Sequence, residues 1–193
     1  MIAEESQKVK KALVDVGIEI NDIYDLVNSS KPYPKAVPVL IDLLEKEISH
    51  NGIKEGIIRA LAVKEAKGKA NKVLLELVKN TSRDNSMLLW TIGNTMEVII
   101  MEEDISDIVE IVSNPDHGLA RQMFISALGK IESIYAEEVL ISLLDDKQVL
   151  LHVIDALGKM KSKKALPIIE GYANNAKGII KKEAIKAAKR INK

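Results

Sequence analysis

The stretch that decides the fold is 125–144, which reads ISALGKIESIYAEEVLISLL, because the chain soon repeats its pattern. Residues 154–172 read IDALGKMKSKKALPIIEGY. In both, an apolar helical segment ends in Ala-Leu-Gly-Lys, and a short polar bridge leads to a second apolar helical segment. The two Ala-Leu-Gly triplets begin at Ala127 and Ala156, which are 29 residues apart. A period of this length indicates a protein built from stacked supersecondary repeats.

The apolar residues of the rest of the chain also follow a helical period. They recur at i, i+3, i+4 and i+7 rather than at i, i+2, which favours helices over strands. Segment 4–16 predicts a first helix that stops at Gly17, and Asn21 or Asp22 is placed to cap a second helix. Two prolines within 29–34 predict a turn. From residue 36 onward the first helices of successive pairs begin at 36, 70, 104, 136 and 165, and the second helices align at Leu61, Ile92, Leu128, Leu157 and Ala188.

These alignments predict an all-α protein, an α-solenoid of about five to six antiparallel helix pairs that forms one domain, 1–193. Segment 1–31 is expected to be a divergent N-terminal capping pair, followed by repeats 36–67, 70–101, 104–133, 136–161 and 165–193. Small residues follow the aligned position in four second helices. Because a helical Gly costs about 1 kcal/mol, we expect these residues to allow close helix packing. They are Ala62, Gly93, Gly129 and Gly158.

Composition restricts the classes of function. Apolar residues make up 47% of the 193 residues but aromatic residues only 3%, so the core must be largely aliphatic. The 28 basic and 28 acidic residues balance, so no overall field favours nucleic acid or an anionic membrane. The absence of Cys excludes disulfides, thiolate metal sites and a Cys nucleophile. Because we find no secretory signal and no apolar run near the ~20 residues that span a bilayer, we expect a soluble, cytoplasmic protein.

Four short motifs carry a family resemblance. Segment 115–131 contains Pro-Asp, then Ala-Arg, then Ala-Leu-Gly-Lys-Ile, and 165–168 reads Ala-Leu-Pro-Ile. These motifs resemble the HEAT repeat, especially its short bilin-lyase type, over about 36–193. The resemblance implies a solenoid whose second helices line the concave side. It also implies that Asp116 and Arg121 belong to a structural ladder of Asp/Arg pairs, but the ladder position of the other repeats holds Lys54, Asn85, Leu150 and Lys181.

One column of positions in the second helices is predicted to face outward. It stands two residues before each aligned position, and four of its five members are polar; the fifth is the chain's one Trp. With neighbouring positions on the same helices, the column predicts a partner-binding patch of Arg59, Met87, Trp90, Asn94, Met123, Ser126, His152 and Asp155. Trp and Arg are frequent interface anchors, and Met adapts to varied partners. The alternative is that Trp90 fills a gap between repeats as a core residue.

The three His residues give little support to the hypothesis of a catalytic or metal-binding site. A lone helical His such as His152 is more often a hydrogen-bonded structural residue than a catalyst. His50 and His117 fall in predicted turns, where we expect them to be solvated. No His is followed by Glu, so the His-Glu dyads of the HEAT-type di-iron hydroxylases are missing. No catalytic residue, metal or other cofactor is therefore expected.

Charge is distributed unevenly along the chain. Residues 159–193 include eleven basic residues against two acids, whereas 84–116 include eight acids and no Lys or Arg. The simpler interpretation of the basic end is a solvated cap of the solenoid. The alternative is a patch that binds phosphates or the acidic middle of a second copy, which gives weak, salt-sensitive self-association of a monomer. Its residues are Lys181, Lys182, Lys186, Lys189 and Arg190.

The leading functional hypothesis is a protein-interaction or scaffold module that binds a peptide or a helical partner on its concave face. The alternative is an enzyme that uses the same face, similar to HEAT-like DNA glycosylases or bilin lyases. The glycosylases recognise alkylated bases with Trp, Asp and Arg, and Trp90, Asp155 and Arg59 share the column. Asn94, however, stands where those enzymes have Asp, and they are more basic and aromatic. Nucleic acid is therefore not the expected partner.

Overall fold

The computed structural model describes residues 2–46 and 48–193, and the regular structure in them is entirely helical. Twelve α-helices and three 3₁₀ segments occur in these residues, with no β-strand among them. The predicted all-α fold is confirmed. The α-helices are α1 (Ile2–Val14), α2 (Tyr24–Val27), α3 (Ala36–Lys46), α4 (Asn51–Ala60), α5 (Asn71–Asn80), α6 (Ser86–Ile99), α7 (Ile105–Ser113), α8 (Arg121–Leu128), α9 (Ile134–Ser142), α10 (Leu150–Lys159), α11 (Leu166–Asn175) and α12 (Gly178–Ile191), and the 3₁₀ segments are Lys64–Ala66, Glu102–Asp104 and Pro115–Ala120.

The chain forms two compact units: unit 1 ends at Ile99 and unit 2 begins at Ile100. The boundary coincides with the end of α6 and falls inside the predicted repeat 70–101. The expected single domain and its repeat boundaries stay predictions. Among the residues that the structure describes, no helix has both the length and the apolar character needed to cross a membrane.

In unit 2 the second helix of each pair lies directly against the second helix of the next pair. Helix α8 contacts α10, and α10 contacts α12. Two glycines allow this close approach. A Cβ added at Gly129 would lie 2.8 Å from Ala156 Cα, and one added at Gly158 would lie 2.8 Å from Ala187 Cα. The prediction that these two glycines serve helix packing is therefore confirmed.

In unit 1 the corresponding neighbours are α4 and α6. Thr95 Oγ1 on α6 donates a hydrogen bond to the Ile58 carbonyl on α4 at 2.9 Å. Tyr33 Oη donates to the Ala60 carbonyl at the end of α4 at 2.8 Å. The large buried side chains of α4 and α6 are aliphatic, with one Met, namely Ile53, Ile57, Ile58, Leu88, Leu89, Ile92, Met96 and Ile99.

The segment before α3 covers one side of α3 and α4. Helix α1 ends at Val14, two residues earlier than predicted, and the chain leaves through Gly17 at φ +79°. Glycine adopts this left-handed conformation without the steric cost that a Cβ imposes. The N-cap of α2 is Ile23, which makes no side-chain cap hydrogen bond, so the predicted cap at Asn21 or Asp22 is wrong. Asp22 Oδ1 accepts a hydrogen bond from the Tyr24 amide at 2.9 Å, one residue before the N-cap.

A buried carboxylate joins α1 to the start of α4. Glu5 accepts hydrogen bonds from the Ser49 hydroxyl at 2.5 Å and from the His50 amide at 3.0 Å. These hydrogen bonds hold the pKa of Glu5 below its usual value, and the bond from the Ser49 hydroxyl has the largest effect. Charge-assisted hydrogen bonds of this kind fix a helix more firmly than neutral ones.

Candidate functional site

Trp90 lies at the surface of unit 1. Its exposed fraction is 36%, and that of Met87, one turn earlier on α6, is 56%. Asn94 is half-buried and Val98 is exposed, and both share a side of the helix with Met87 because they follow it at i+7 and i+11. The alternative that Trp90 is a buried core residue is therefore wrong. Helix α6 presents an apolar stripe to solvent, which we call the α6 stripe: Met87, Trp90 and Val98.

Arg59 on α4 is bound to α6 at the residue next to Trp90. Its Nη2 donates a hydrogen bond to Thr91 Oγ1 at 3.3 Å, and Thr91 Oγ1 in turn donates to the Met87 carbonyl at 2.9 Å. Arg59 is half-buried, and it forms no ion pair with any residue that the structure describes. A guanidinium carries five N–H donors, so most of the hydrogen-bonding capacity of Arg59 is left for another group.

The unit 2 members of the predicted patch differ from this arrangement. Met123 and His152 are half-buried, whereas Ser126 is buried, with 5% of it exposed. The predicted exposure of Ser126 is therefore wrong. Ser126 is buried because α8 and α10 approach each other closely at Gly129, and α10 covers the small Ser126 side chain on α8. Because the patch draws on both units, its assembly into one surface stays a prediction.

Asp155 belongs to a network of ion pairs that joins α10 to α12. Arg190 Nη1 lies 2.6 Å from Asp155 Oδ1, and Lys159 Nζ lies 2.9 Å from Asp155 Oδ2. Burial alone would raise the pKa of Asp155, but the hydrogen bonds from Arg190 and Lys159 outweigh it and bring the pKa to about 2. Arg190 also lies 3.6 Å from Glu183 Oε1. The sequence placed Asp155 and Arg190 in different patches, whereas the structure brings them together.

Arg121 is paired with a residue that the sequence analysis missed. Its Nη2 lies 2.8 Å from Asp146 Oδ2 and 3.2 Å from Gln148 Oε1, in the turn that leads to α10. Only 2% of Arg121 is exposed, whereas Asp116 is an exposed residue. The ladder partner of Arg121 is therefore Asp146 of the following repeat, not Asp116. The available signal was the repeat period, because Asp146 follows Asp116 by 30 residues.

The two turn histidines are not simply solvated. His50 is half-buried and is the N-cap of α4, where its Nδ1 accepts a hydrogen bond from the Gly52 amide at 3.2 Å. His117 is only 8% exposed because the 3₁₀ segment Pro115–Ala120 folds it inward. The expectation of solvated histidines is therefore wrong for His117 and incomplete for His50. In the described ranges, 2–46 and 48–193, no three His, Asp or Glu side chains are grouped to hold a metal ion.

The predicted basic patch divides into free and engaged cations. Lys181 is half-buried and its Nζ donates to the Asn174 carbonyl at 3.4 Å, and Arg190 belongs to the Asp155 network. Lys186 is exposed and lies 3.4 Å from Glu183 Oε2. The remaining two, Lys182 and Lys189, are exposed and form no ion pair with another residue of the part of the chain that the structure describes.

The fold is that of an α-helical repeat protein. Its successive helix pairs contact each other through their second helices, and the Arg121–Asp146 ion pair joins two consecutive turns. The particular repeat is identified by a family model of HEAT repeats, which matches residues 105–189. The match covers somewhat less than half of the chain, and the predicted resemblance to the HEAT repeat is confirmed over that stretch. The chain has no significant match among curated proteins or solved structures. HEAT repeats commonly mediate protein interactions.

Proposed function

We propose that the chain is a protein-interaction module and that the α4–α6 face of unit 1 binds a peptide or a helical segment of its partner. The observation that carries the proposal is an exposed Trp90 beside Met87, with the half-buried Arg59 held next to them by Thr91. Trp and Arg in such partly desolvated positions are the residue types that most often dominate binding energy.

The chemistry of this face indicates the chemistry of the segment that binds it. The α6 stripe offers apolar contact area, and Met87 adapts its shape to the side chain that it meets. The guanidinium of Arg59 suits a carboxylate, which it can bind with two parallel hydrogen bonds. We therefore propose an amphipathic partner segment with apolar residues at i, i+3 or i+4 and one Asp or Glu beside them.

In unit 2 we propose that Met123 on α8 and His152 on α10, which are both half-buried, also contact the partner. We assign Asp155 a structural role instead, since its carboxylate is already bound by Arg190 and Lys159. A glycosylase-like function would need the Asp155 carboxylate at the substrate. Because Arg190 and Lys159 already bind that carboxylate, no observation favours this function. The concave shape of the proposed face and the cytoplasmic location stay predictions.

The test uses the fluorescence of Trp90, because it is the only Trp of the chain and its emission reports on this face alone. A display library of amphipathic helical peptides is selected against the full chain, and the selected peptides are titrated. We expect them to shift the Trp90 emission of the wild-type chain and, in calorimetric titrations that need no Trp, to bind the variants Trp90→Ala and Arg59→Gln at least 10-fold more weakly. Tyr135→Ala is the matched control, since Tyr135 is an exposed aromatic residue on α9. Peptides that bind wild type and Trp90→Ala equally contradict the proposal.

A further inference from the structure

Unit 1 contains a cavity of about 220 Å³ between α1, the segment around α2 and the start of α4. Five aliphatic side chains line it, and no residue of the α6 stripe does. Val9 and Ile53 are buried whereas Ile2 is exposed, so the apolar lining continues from the inside of the cavity to its rim. The aliphatic residues are Ile2, Val9, Ile20, Ile23 and Ile53.

Two residues of opposite charge also line this cavity. Lys10 is half-buried on α1, and Asp22 is exposed in the loop before α2. Neither forms an ion pair with a residue that the structure describes. Asp22 Oδ1 accepts a hydrogen bond from the Tyr24 amide at 2.9 Å, and Asp22 Oδ2 accepts none from the described residues. The two charges of the lining therefore cancel, but one ammonium and one carboxylate oxygen remain for a ligand.

Two further polar residues line the cavity, Ser6 and His50. Ser6 precedes Lys10 by one turn of α1, at i−4, so the two are surface neighbours on the helix. His50 Nδ1 accepts a hydrogen bond from the Gly52 amide at 3.2 Å. A neutral imidazole that accepts at Nδ1 carries its proton on Nε2, which can donate to an anion. The lining thus contains three hydrogen-bond donors, Lys10, Ser6 and His50, and one carboxylate acceptor.

The volume of the cavity limits the size of its ligand. Liquid water occupies about 30 Å³ per molecule, so the cavity corresponds to about seven water molecules, or to a ligand of about ten non-hydrogen atoms. Pockets for drug-sized ligands measure about 300–1,000 Å³. A nucleotide exceeds the size of this cavity, whereas a small metabolite with an apolar part fits it.

We propose that this cavity binds a free α-amino acid with an aliphatic side chain, such as leucine. The carboxylate of the amino acid accepts hydrogen bonds from Lys10 and Ser6, its ammonium donates to Asp22 Oδ2, and its side chain packs against the aliphatic lining. This site is separate from the proposed peptide-binding face, and neither proposal depends on the other.

Charge complementarity argues for a ligand that carries both charges. An apolar carboxylate without an ammonium would bring a second anion into the cavity that Asp22 lines. An apolar amine without a carboxylate would bring a second cation to Lys10. Either ligand would displace water from a charged side chain without pairing it, which is costly. A zwitterion with an aliphatic side chain matches the cation, the acid and the apolar lining together.

The proposed ligand contacts three segments that come together only in folded unit 1, so its binding stabilises the fold. A ligand of about nine non-hydrogen atoms is expected to bind with a Kd between about 1 µM and 1 mM. At about ten times its Kd it should raise the Tm by about 3–6 °C.

The experiment is isothermal titration calorimetry of L-leucine into the full chain, with thermal unfolding as a second measurement. We expect saturable 1:1 binding to wild type. Lys10→Gln and Asp22→Asn should each bind about 10-fold more weakly or worse, because each removes a charge-assisted hydrogen bond. Ser6→Leu fills the cavity and should not bind. Lys8→Gln is the matched control, since it removes the same charge from an exposed position of α1, and it should bind as wild type does.

Analogues of leucine test each part of the ligand separately. Isocaproate lacks the ammonium, isoamylamine lacks the carboxylate and glycine lacks the aliphatic side chain, so each should bind at least about 10-fold more weakly than L-leucine. Circular dichroism establishes that each variant is folded.

Three results would overturn the proposal. The first is a wild-type chain that shows neither binding heat nor a higher Tm with L-leucine at about 10 mM. The second is an analogue that binds as tightly as L-leucine. The third is a loss of binding in Lys8→Gln equal to that in Lys10→Gln. Since none of these measurements involves Trp90, each leaves the proposed peptide binding intact.

Discussion

Arg121 Nη2 lies 2.8 Å from Asp146 Oδ2, and this ion pair joins the start of α8 to the turn before α10. The arginine also donates to the Gly118 and Val112 carbonyls, at 3.2 and 3.4 Å, so one buried side chain connects three segments of unit 2. A buried guanidinium must have such partners, since an unpaired charge in the interior is costly. The pair therefore fixes how one helical repeat of unit 2 is placed on the next.

Substitution of Arg121 should destabilise the chain strongly. Arg121→Met keeps most of the aliphatic packing but removes the cation from Asp146 and a donor from each of two carbonyls, which we expect to cost about 2–4 kcal/mol of unfolding free energy. Asp146→Asn should cost less, about 1 kcal/mol, because Asp146 keeps contact with solvent. Urea denaturation measures both. Asp116→Asn is the control and should change stability by less than about 0.5 kcal/mol; a loss there equal to that of Asp146→Asn would restore Asp116 as the ladder residue.

Gly129→Ala and Gly158→Ala should also destabilise, although Ala is the better helix former. The added Cβ would meet backbone atoms of the neighbouring helix at under 3.0 Å, so the helices must separate. Overpacking of this kind costs about 1–3 kcal/mol, which exceeds the gain of about 1 kcal/mol from helix propensity. Gly171→Ala on α11 is the matched control, because its added Cβ meets nothing within 4 Å. Thermal unfolding should show a lower Tm for the first two and an unchanged or higher Tm for the control.

The Asp155 network should make stability depend on acid pH. The folded pKa of about 2 lies below the usual value of 3.8, so the network stabilises the fold fully above about pH 5. Its contribution is lost as the pH falls from about 4 toward 2. Because the carboxylate is partly solvated, we expect Asp155→Asn to cost only about 1 kcal/mol at pH 6. Unfolding free energies of the two proteins should converge between pH 5 and pH 2 (approximately), and a constant difference would contradict the assignment.

The helices could be predicted from the sequence because their apolar period and the Ala-Leu-Gly repeat are local signals. Gly129 and Gly158 were assigned to packing for the same reason: a Gly in a helix needs a compensating contact. The exposure of Trp90 followed from its place in a polar column. Ser126 stands in the same column and is buried, because exposure also depends on how closely the neighbouring helix approaches.

Partners in ion pairs were harder to predict than helices. Arg121 pairs with Asp146, 25 residues later in the sequence, and Asp155 pairs with Arg190, 35 residues later. In both cases the two partners belong to different helix pairs. Such pairs require the register of one repeat on the next, which the repeat period gives only approximately because the aligned positions are 31, 36, 29 and 31 residues apart. His117 was expected in solvent because its neighbours Pro115 and Gly118 are turn residues, but the 3₁₀ segment turns its side chain inward.

The most direct test of the central claim is a paired measurement on Trp90→Ala. The claim is that Trp90 binds a partner segment and is not needed for folding, since its side chain lies at the surface of α6. The variant should lose at least 10-fold in affinity for peptides selected on the wild-type chain, which equals about 1.4 kcal/mol. Its unfolding free energy should fall by less than about 1 kcal/mol. The account would be contradicted if the variant lost about 3 kcal/mol of stability, as expected for a buried aromatic residue, while its peptide affinity stayed unchanged.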